Sequence, residues 1–213
     1  MQERQSPPSR ADAARNRKQL LEVATRVFAA ADTEPSLREI AREAGVGIAT
    51  LYRHFPTREA LVAAVYADQV ARLTEGASEL LAALAPAEAL RRWMDLFGDW
   101  IATKDGMLTT LLAMIESEEI PHARTHTDLI AAIDDMLRAG QATGELRTDV
   151  TAEDVAAHLI GIFTVAPLPE HAARADRLMG VLMHGLRPTI RQIDGQRKKD
   201  RPPGVRQGAV DHC

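Results

Sequence analysis

Between Ser36 and Phe55 the chain reads SLREIAREAGVGIATLYRHF. If its second half is helical, steps of about 100° per residue place Ala49, Thr50, Arg53 and His54 on one side. Ile48, Leu51, Tyr52 and Phe55 fall on the other. A hydroxyl, a guanidinium and an imidazole on one strip suit base edges and phosphates. Arg53 can donate two hydrogen bonds to a guanine, and Thr50 can meet a thymine methyl or a phosphate oxygen. Tyr52 lies at the boundary, where its ring can pack while its hydroxyl reaches a phosphate. Arg38, early in the first half, can reach a base or a phosphate. After Pro56, Thr57 and Arg58 open another helix, whose unpaired amides and guanidinium attract phosphate. On spacing alone, an ordinary solvated face remains the plain alternative.

These side chains need two short helices and a tight turn. Ser36 can cap a helix, and Glu39 three residues later completes the capping-box pattern. Leu37, Ile40, Ala41 and Ala44 recur at i, i+3, i+4 and i+7, one buried stripe about two turns long. Gly45 follows, a residue that tolerates the left-handed conformation ending a helix, and Val46 can plug the angle beyond it. The second helix is expected from about Gly47 to Phe55, closed by Pro56. Two helices about a glycine turn suit a module that lays one helix in the major groove.

The order of residues sharpens this. From Ser36 to about Leu61, with IAREAGV and then TLYRHFPTREAL, the chain closely resembles the DNA-binding domain of the TetR family of bacterial transcriptional regulators. Leu51, Tyr52, His54, Phe55, Arg58 and Leu61 match the family's run of Leu-Tyr, His and Phe followed by a basic residue and a leucine. The resemblance is strong from Arg15 to Ala64 and weak beyond, where the family's ligand domains diverge. Gly47 belongs to the expected interface but departs from the pattern. The family often has serine or another polar residue there, so a side-chain phosphate contact is missing.

Few aromatics, abundant alanine and no alternating β-branched runs point to an all-α protein. The single cysteine, Cys213, excludes an intrachain disulfide. No apolar run approaches the ~20 residues that span a membrane, and MQERQSPPSR lacks a signal-peptide core, so a cytoplasmic protein is expected. The net charge of −4 divides unevenly. Residues 10–58 hold nine Lys and Arg against six Asp and Glu, net +3. Residues 59–188 hold ten against twenty, net −10, and residues 189–213 hold six against three, net +3. A positive head on an acidic body orients a protein toward a polyanion.

Four segments follow: a disordered arm at 1–10, a helix-turn-helix domain at 11–57, a helical body at 58–188 and a disordered basic tail at 189–213. Helix 1 is expected from about Asp12 to Ala30, with Arg15, Arg17 and Lys18 able to touch a flanking phosphate. A helix from Arg58 to about Ala77 connects head to body. Body helices are expected at about 86–104, 107–115, 121–140, 151–165 and 171–186. Trp93, Met94, Phe97, Trp100, Met107, Leu111, Met114, Leu129, Ile133, Met136 and Phe163 can form plain core or line an adaptable apolar pocket. The family resemblance implies the pocket, and with it a small, largely apolar effector.

The last two helices carry Ala156, Ala157, Gly161, Ala172, Ala173, Gly180 and Gly185, small residues that let another helix approach. They can complete the monomer core or pack on a twofold copy. The resemblance implies a four-helix dimer interface, and a homodimer suits a pseudo-palindromic operator in double-stranded DNA. His122 and His126, with Glu118 and Glu119 upstream, have metal spacing, but Pro121 breaks the helix between the pairs. No metal or cofactor is expected. No glycine-rich phosphate loop or nucleophile motif supports an enzyme. The expectation is a one-component regulator, a repressor released by an effector. The competing class is a helical adaptor that binds protein rather than DNA.

Overall fold

The computed structural model describes residues 10–31, 33–165 and 172–188. Among them are nine helices and no strand: α1 (Arg10–Ala29), α2 (Leu37–Glu43), α3 (Ile48–His54), α4 (Arg58–Ala83), α5 (Pro86–Asp105), α6 (Leu108–Glu116), α7 (His122–Thr143), α8 (Ala152–Val165) and α9 (Ala172–Gly185). The expected arm and tail lie outside the described residues, except Arg10, which already begins α1. The prolines expected to stop α8, Pro167 and Pro169, also lie outside them.

The capping box of α2 forms in both directions. The Ser36 amide donates to Glu39 Oε2 at 2.7 Å, and the Glu39 amide donates to Ser36 Oγ at 3.3 Å. The bond from the Ser36 backbone is the main reason that Glu39 titrates below an ordinary glutamate. At the other end the Gly45 amide donates to Arg42 O and the Val46 amide to Ala41 O, both at 3.0 Å. This is a Schellman motif, and Gly45 holds the left-handed position at φ 66°. Gly45→Val should therefore lower stability by about 1–2 kcal/mol and weaken binding to DNA, because a Cβ strains this conformation. An unchanged melting temperature would refute the turn's role.

Two helices end later than the apolar pattern suggests. α4 continues past Ala77 to Ala83, because Leu80 and Leu81 extend its packed stripe and no breaker intervenes. It stops before Ala85, which is extended ahead of Pro86. α7 passes Gly140 and ends at Thr143, with Gly144 as its left-handed cap at φ 75°. Gly140 serves packing instead, since a Cβ there would lie 2.5 Å from Leu146 Cδ1.

The head, α1–α3, sits against the body through α1. Helix α5 packs on α1, α4 and α7. One core runs from Leu20, Phe28 and Leu51 through Leu61 and Val65 to Trp93, Met94 and Ile133. Head and body therefore share packing, and a shift of α4 or α5 bears on α1 directly.

Candidate nucleic-acid interface

Helix α3 is anchored by Leu51 and Phe55, both buried, with Ile48 partly buried beside them. Ala49 and Arg53 face solvent and Thr50 is half-buried. Tyr52, expected at the boundary, is 47% exposed. His54, expected to face outward, is only half-exposed, with its ring tilted toward Phe55 at 6.4 Å between centroids. The strip is thus Ala49, Thr50, Tyr52 and Arg53, with His54 at its edge. Arg38 is exposed on α2. Gly47 caps α3 without a side-chain hydrogen bond, at φ −68°. A Cβ there would meet nothing within 4 Å, so neither backbone nor packing demands glycine.

Arg17 also belongs to this surface. Its guanidinium lies 5.1 Å from the Phe55 ring centroid, a cation–π contact that holds positive charge beside the end of α3. The sequence placed Arg17 near a flanking phosphate but gave no sign of its aromatic support.

Arg58 is turned away from this surface, contrary to expectation. Its Nη1 donates to Pro35 O at 2.6 Å, its Nε donates to Thr110 Oγ1 at 3.0 Å, and Nη2 lies 3.1 Å from Glu34 Oε2. The Glu34 carboxylate also accepts from the Thr110 amide at 3.0 Å. A partly buried guanidinium with a carboxylate and a carbonyl as partners already has the charge-assisted bonds a phosphate would offer. Arg58 is a clasp joining the loop before α2, the start of α4 and the start of α6. Thr57 is likewise engaged, its Oγ1 accepting from the Ala60 amide at 3.1 Å. Glu59 titrates low, first because a backbone amide donates to it and then through the Thr57 hydroxyl. Of the amides that were expected to draw phosphate, that of Glu59 meets its own carboxylate and that of Ala60 the Thr57 hydroxyl.

Residues 20–65 match the family described as bacterial regulatory proteins, tetR family, and residues 85–188 match the C-terminal domain of SbtR-like transcriptional regulators. A TetR transcriptional regulator from Streptomyces coelicolor is 43% identical, with a TM-score of 0.74 over 81% of this chain and 99% of that one. The chain belongs to the TetR family of transcriptional regulators. A TetR regulatory protein from Mycobacterium vanbaalenii is 37% identical, with a TM-score of 0.65 over 84% of this chain and 99% of that one. GusR of Salmonella enterica, 21% identical with a TM-score of 0.54 over 81% and 95% of the two chains, shares the fold. No curated protein matches the chain.

In this TetR-family body all eleven expected effector residues are brought together, and all are buried. Phe97 stands at the centre of their aromatic cluster. Its ring centroid lies 5.7 Å from Trp93, 5.4 Å from Trp100 and 6.0 Å from Phe163. Met107, which caps α6, approaches with Leu111 and Met114 on it, and Leu129, Ile133 and Met136 come from α7, within the same core. Two polar groups accompany the cluster that the apolar pattern did not single out. Trp100 Nε1 is buried without a hydrogen-bond partner, and the Tyr66 ring lies 6.3 Å from the Trp100 ring. Burial raises the Tyr66 pKa, and the Thr125 hydroxyl near its OH opposes this.

Among the described residues no three histidine, cysteine or acidic side chains gather as a metal site. Nor is any described helix long and apolar enough to cross a membrane.

Proposed function

We propose that the chain is a homodimeric repressor that lays α3 in the major groove and leaves its operator when a small effector enters the body. The observation that carries this reading is the exposed strip of Ala49, Thr50, Tyr52 and Arg53 over the buried anchors Leu51 and Phe55. A seven-residue helix is too short to be stable alone. Its seat on the head core presents the strip in a fixed register. Arg38 and Arg17 flank it as phosphate contacts, and His54 is a further contact at its edge. Gly47 leaves the backbone at the start of α3 open to a close approach.

Dimerisation is supported by α8 and α9. Ile160, Val165 and Val181 are 54%, 60% and 69% exposed, and Cβ atoms at Gly161, Gly180 and Gly185 would meet nothing within 4 Å. Packing within one chain does not explain these glycines, whereas the backbone of a second copy does. Two copies of α3 on a pseudo-palindrome supply the affinity that a few base pairs cannot.

The effector site proposed is the cluster around Phe97, with Tyr66 OH and Trp100 Nε1 as its polar groups. An apolar molecule bearing one hydrogen-bond acceptor matches that chemistry. It releases DNA only by binding the DNA-incompetent form more tightly, and a preference of about 100-fold is worth about 2.7 kcal/mol. The Arg58 clasp ties α6, which lines the cluster, to α4 and the head.

Arg53→Ala tests the interface. On a selected operator it should cost about 1–3 kcal/mol and relax preference at one base pair. Equal losses on all duplexes would make Arg53 a phosphate contact. For the wild type, affinity for random duplex DNA should fall steeply with salt. A flat salt response, or no binding at low salt, would sink the regulator reading in favour of a protein-binding adaptor.

A further inference from the structure

A crevice lies where the head meets the body, outside the aromatic cluster. It has a volume of about 240 Å³ between α1, α4 and α5, and Thr25, Gln69, Arg72, Leu73, Leu96 and Asp99 are among its lining residues. Gln69 is 5% exposed, yet its Nε2 has no hydrogen-bond partner, and neither does the buried Thr25 Oγ1. Leaving a buried donor unpaired is costly. Thr25 and Gln69 line this one opening from different helices, with their unpaired polar atoms covered just behind its wall. Arg26 and Arg72 line the same opening, against the single acidic residue Asp99, on which the Arg72 charge acts. Leu73 and Leu96, with nearby alanines, supply an apolar wall.

We infer that this crevice is a binding site for a small organic carboxylate with a short apolar body. The ligand's carboxylate pairs with Arg72 and draws the covered Gln69 amide outward to donate to it, and its apolar part lies against Leu73 and Leu96. The volume is below the roughly 300–1,000 Å³ of drug-sized sites, so the ligand is small. Asp99 does not forbid an anion. Burial, reinforced by Asp95, raises its hold on a proton, and Arg72 opposes this. The two guanidinium groups outnumber it. An occupant would touch α1, α4 and α5 together and so bias the angle between head and body. That consequence rests on the regulator reading; the binding itself does not.

The test is titration of benzoate into the DNA-free full-length protein, by calorimetry and by methyl NMR of the leucines. Benzylamine and benzyl alcohol serve as charge controls. Benzoate should bind and shift leucine methyl signals, and both controls should bind at least about tenfold more weakly. Gln69→Leu should weaken benzoate about tenfold without lowering the melting temperature, since it removes an unpaired buried donor. Arg72→Gln, at an exposed position, should weaken it similarly and keeps the test decisive if the first variant folds poorly. Three results would overturn the site: no benzoate binding up to about 10 mM, a far weaker limit than most metabolite sites; equal binding of benzylamine; or unchanged affinity in both variants. Operator binding measured on the same preparations separates failure of this site from failure of the regulator reading.

Discussion

Gly106→Ala should lower the melting temperature by roughly 5–15 °C, from about 2–4 kcal/mol of overpacking, and weaken operator binding as well. Gly106 follows α5 at φ −73°, a conformation open to any residue, so backbone preference is not the issue. The obstacle is the neighbour. A Cβ at this position would lie 2.0 Å from Phe28 O and 2.8 Å from its Cα. Phe28 is fully buried near the end of α1, so it cannot swing aside as a flexible side chain would. Alanine must therefore push the α5–α6 turn off the head. Thr110, which joins the clasp of Glu34 and Arg58, is on the helix that begins just beyond this turn. Loss of the close approach should loosen the clasp too. Calorimetric melting and operator titration measure the two effects. An unchanged melting temperature would mean that the turn does not bear on Phe28.

The fold was legible where local chemistry decides it. Ser36 with Glu39, and Gly45, are short-range devices whose partners lie within a few residues, and each forms as the sequence suggests; Thr151 with Asp154 at the start of α8 is a cap of the same kind. Helix ends were less legible where two glycines compete. Gly140 and Gly144 are equally good stop signals in sequence. Only the contact with Leu146 shows that one serves packing and the other capping. Gly106 falls between the expected helices at 86–104 and 107–115 with no local sign of its role, because the backbone it touches, that of Phe28, is far away in the chain.

The proposed interface was legible for the same reason, and its reading failed at the same limit. Helical periodicity placed Arg53, Thr50 and Ala49 on one strip, and they lie there. It could not show that Tyr52 is left uncovered by any neighbouring helix or that His54 leans on Phe55. Arg58 is the clearest case. Its partners Glu34, Pro35 and Thr110 come from two distant segments, so its spacing suggested a phosphate contact while tertiary structure made it a clasp. The unpartnered indole of Trp100 and amide of Gln69 carry no sequence signal, because an unmade hydrogen bond exists only after folding.

Val181→Asp is expected to leave each protomer folded but to dissociate the dimer and cut operator affinity roughly a hundred- to ten-thousandfold. Val181 is 69% exposed on α9, so an aspartate there costs the isolated chain little. It borders a groove of about 490 Å³ with Leu178 and Leu182 of α9 and Val155 and Ile162 of α8. The groove's arginine, Arg147, is already paired with Asp149 through two bonds of 2.7 Å. A twofold partner seated there would bring two carboxylates out of water together, and both desolvation and like charge oppose association. The DNA loss follows from geometry. One recognition helix reads one half-site, and tethering by the partner is what makes the second half-site nearly free of further entropic cost. Arg53→Ala, by contrast, should weaken DNA binding with the dimer intact. Sedimentation and operator titration on the two variants separate the roles. A Val181→Asp protein that remains dimeric would move the interface off α8 and α9, and one that is monomeric with undiminished operator affinity would remove dimerisation from DNA recognition.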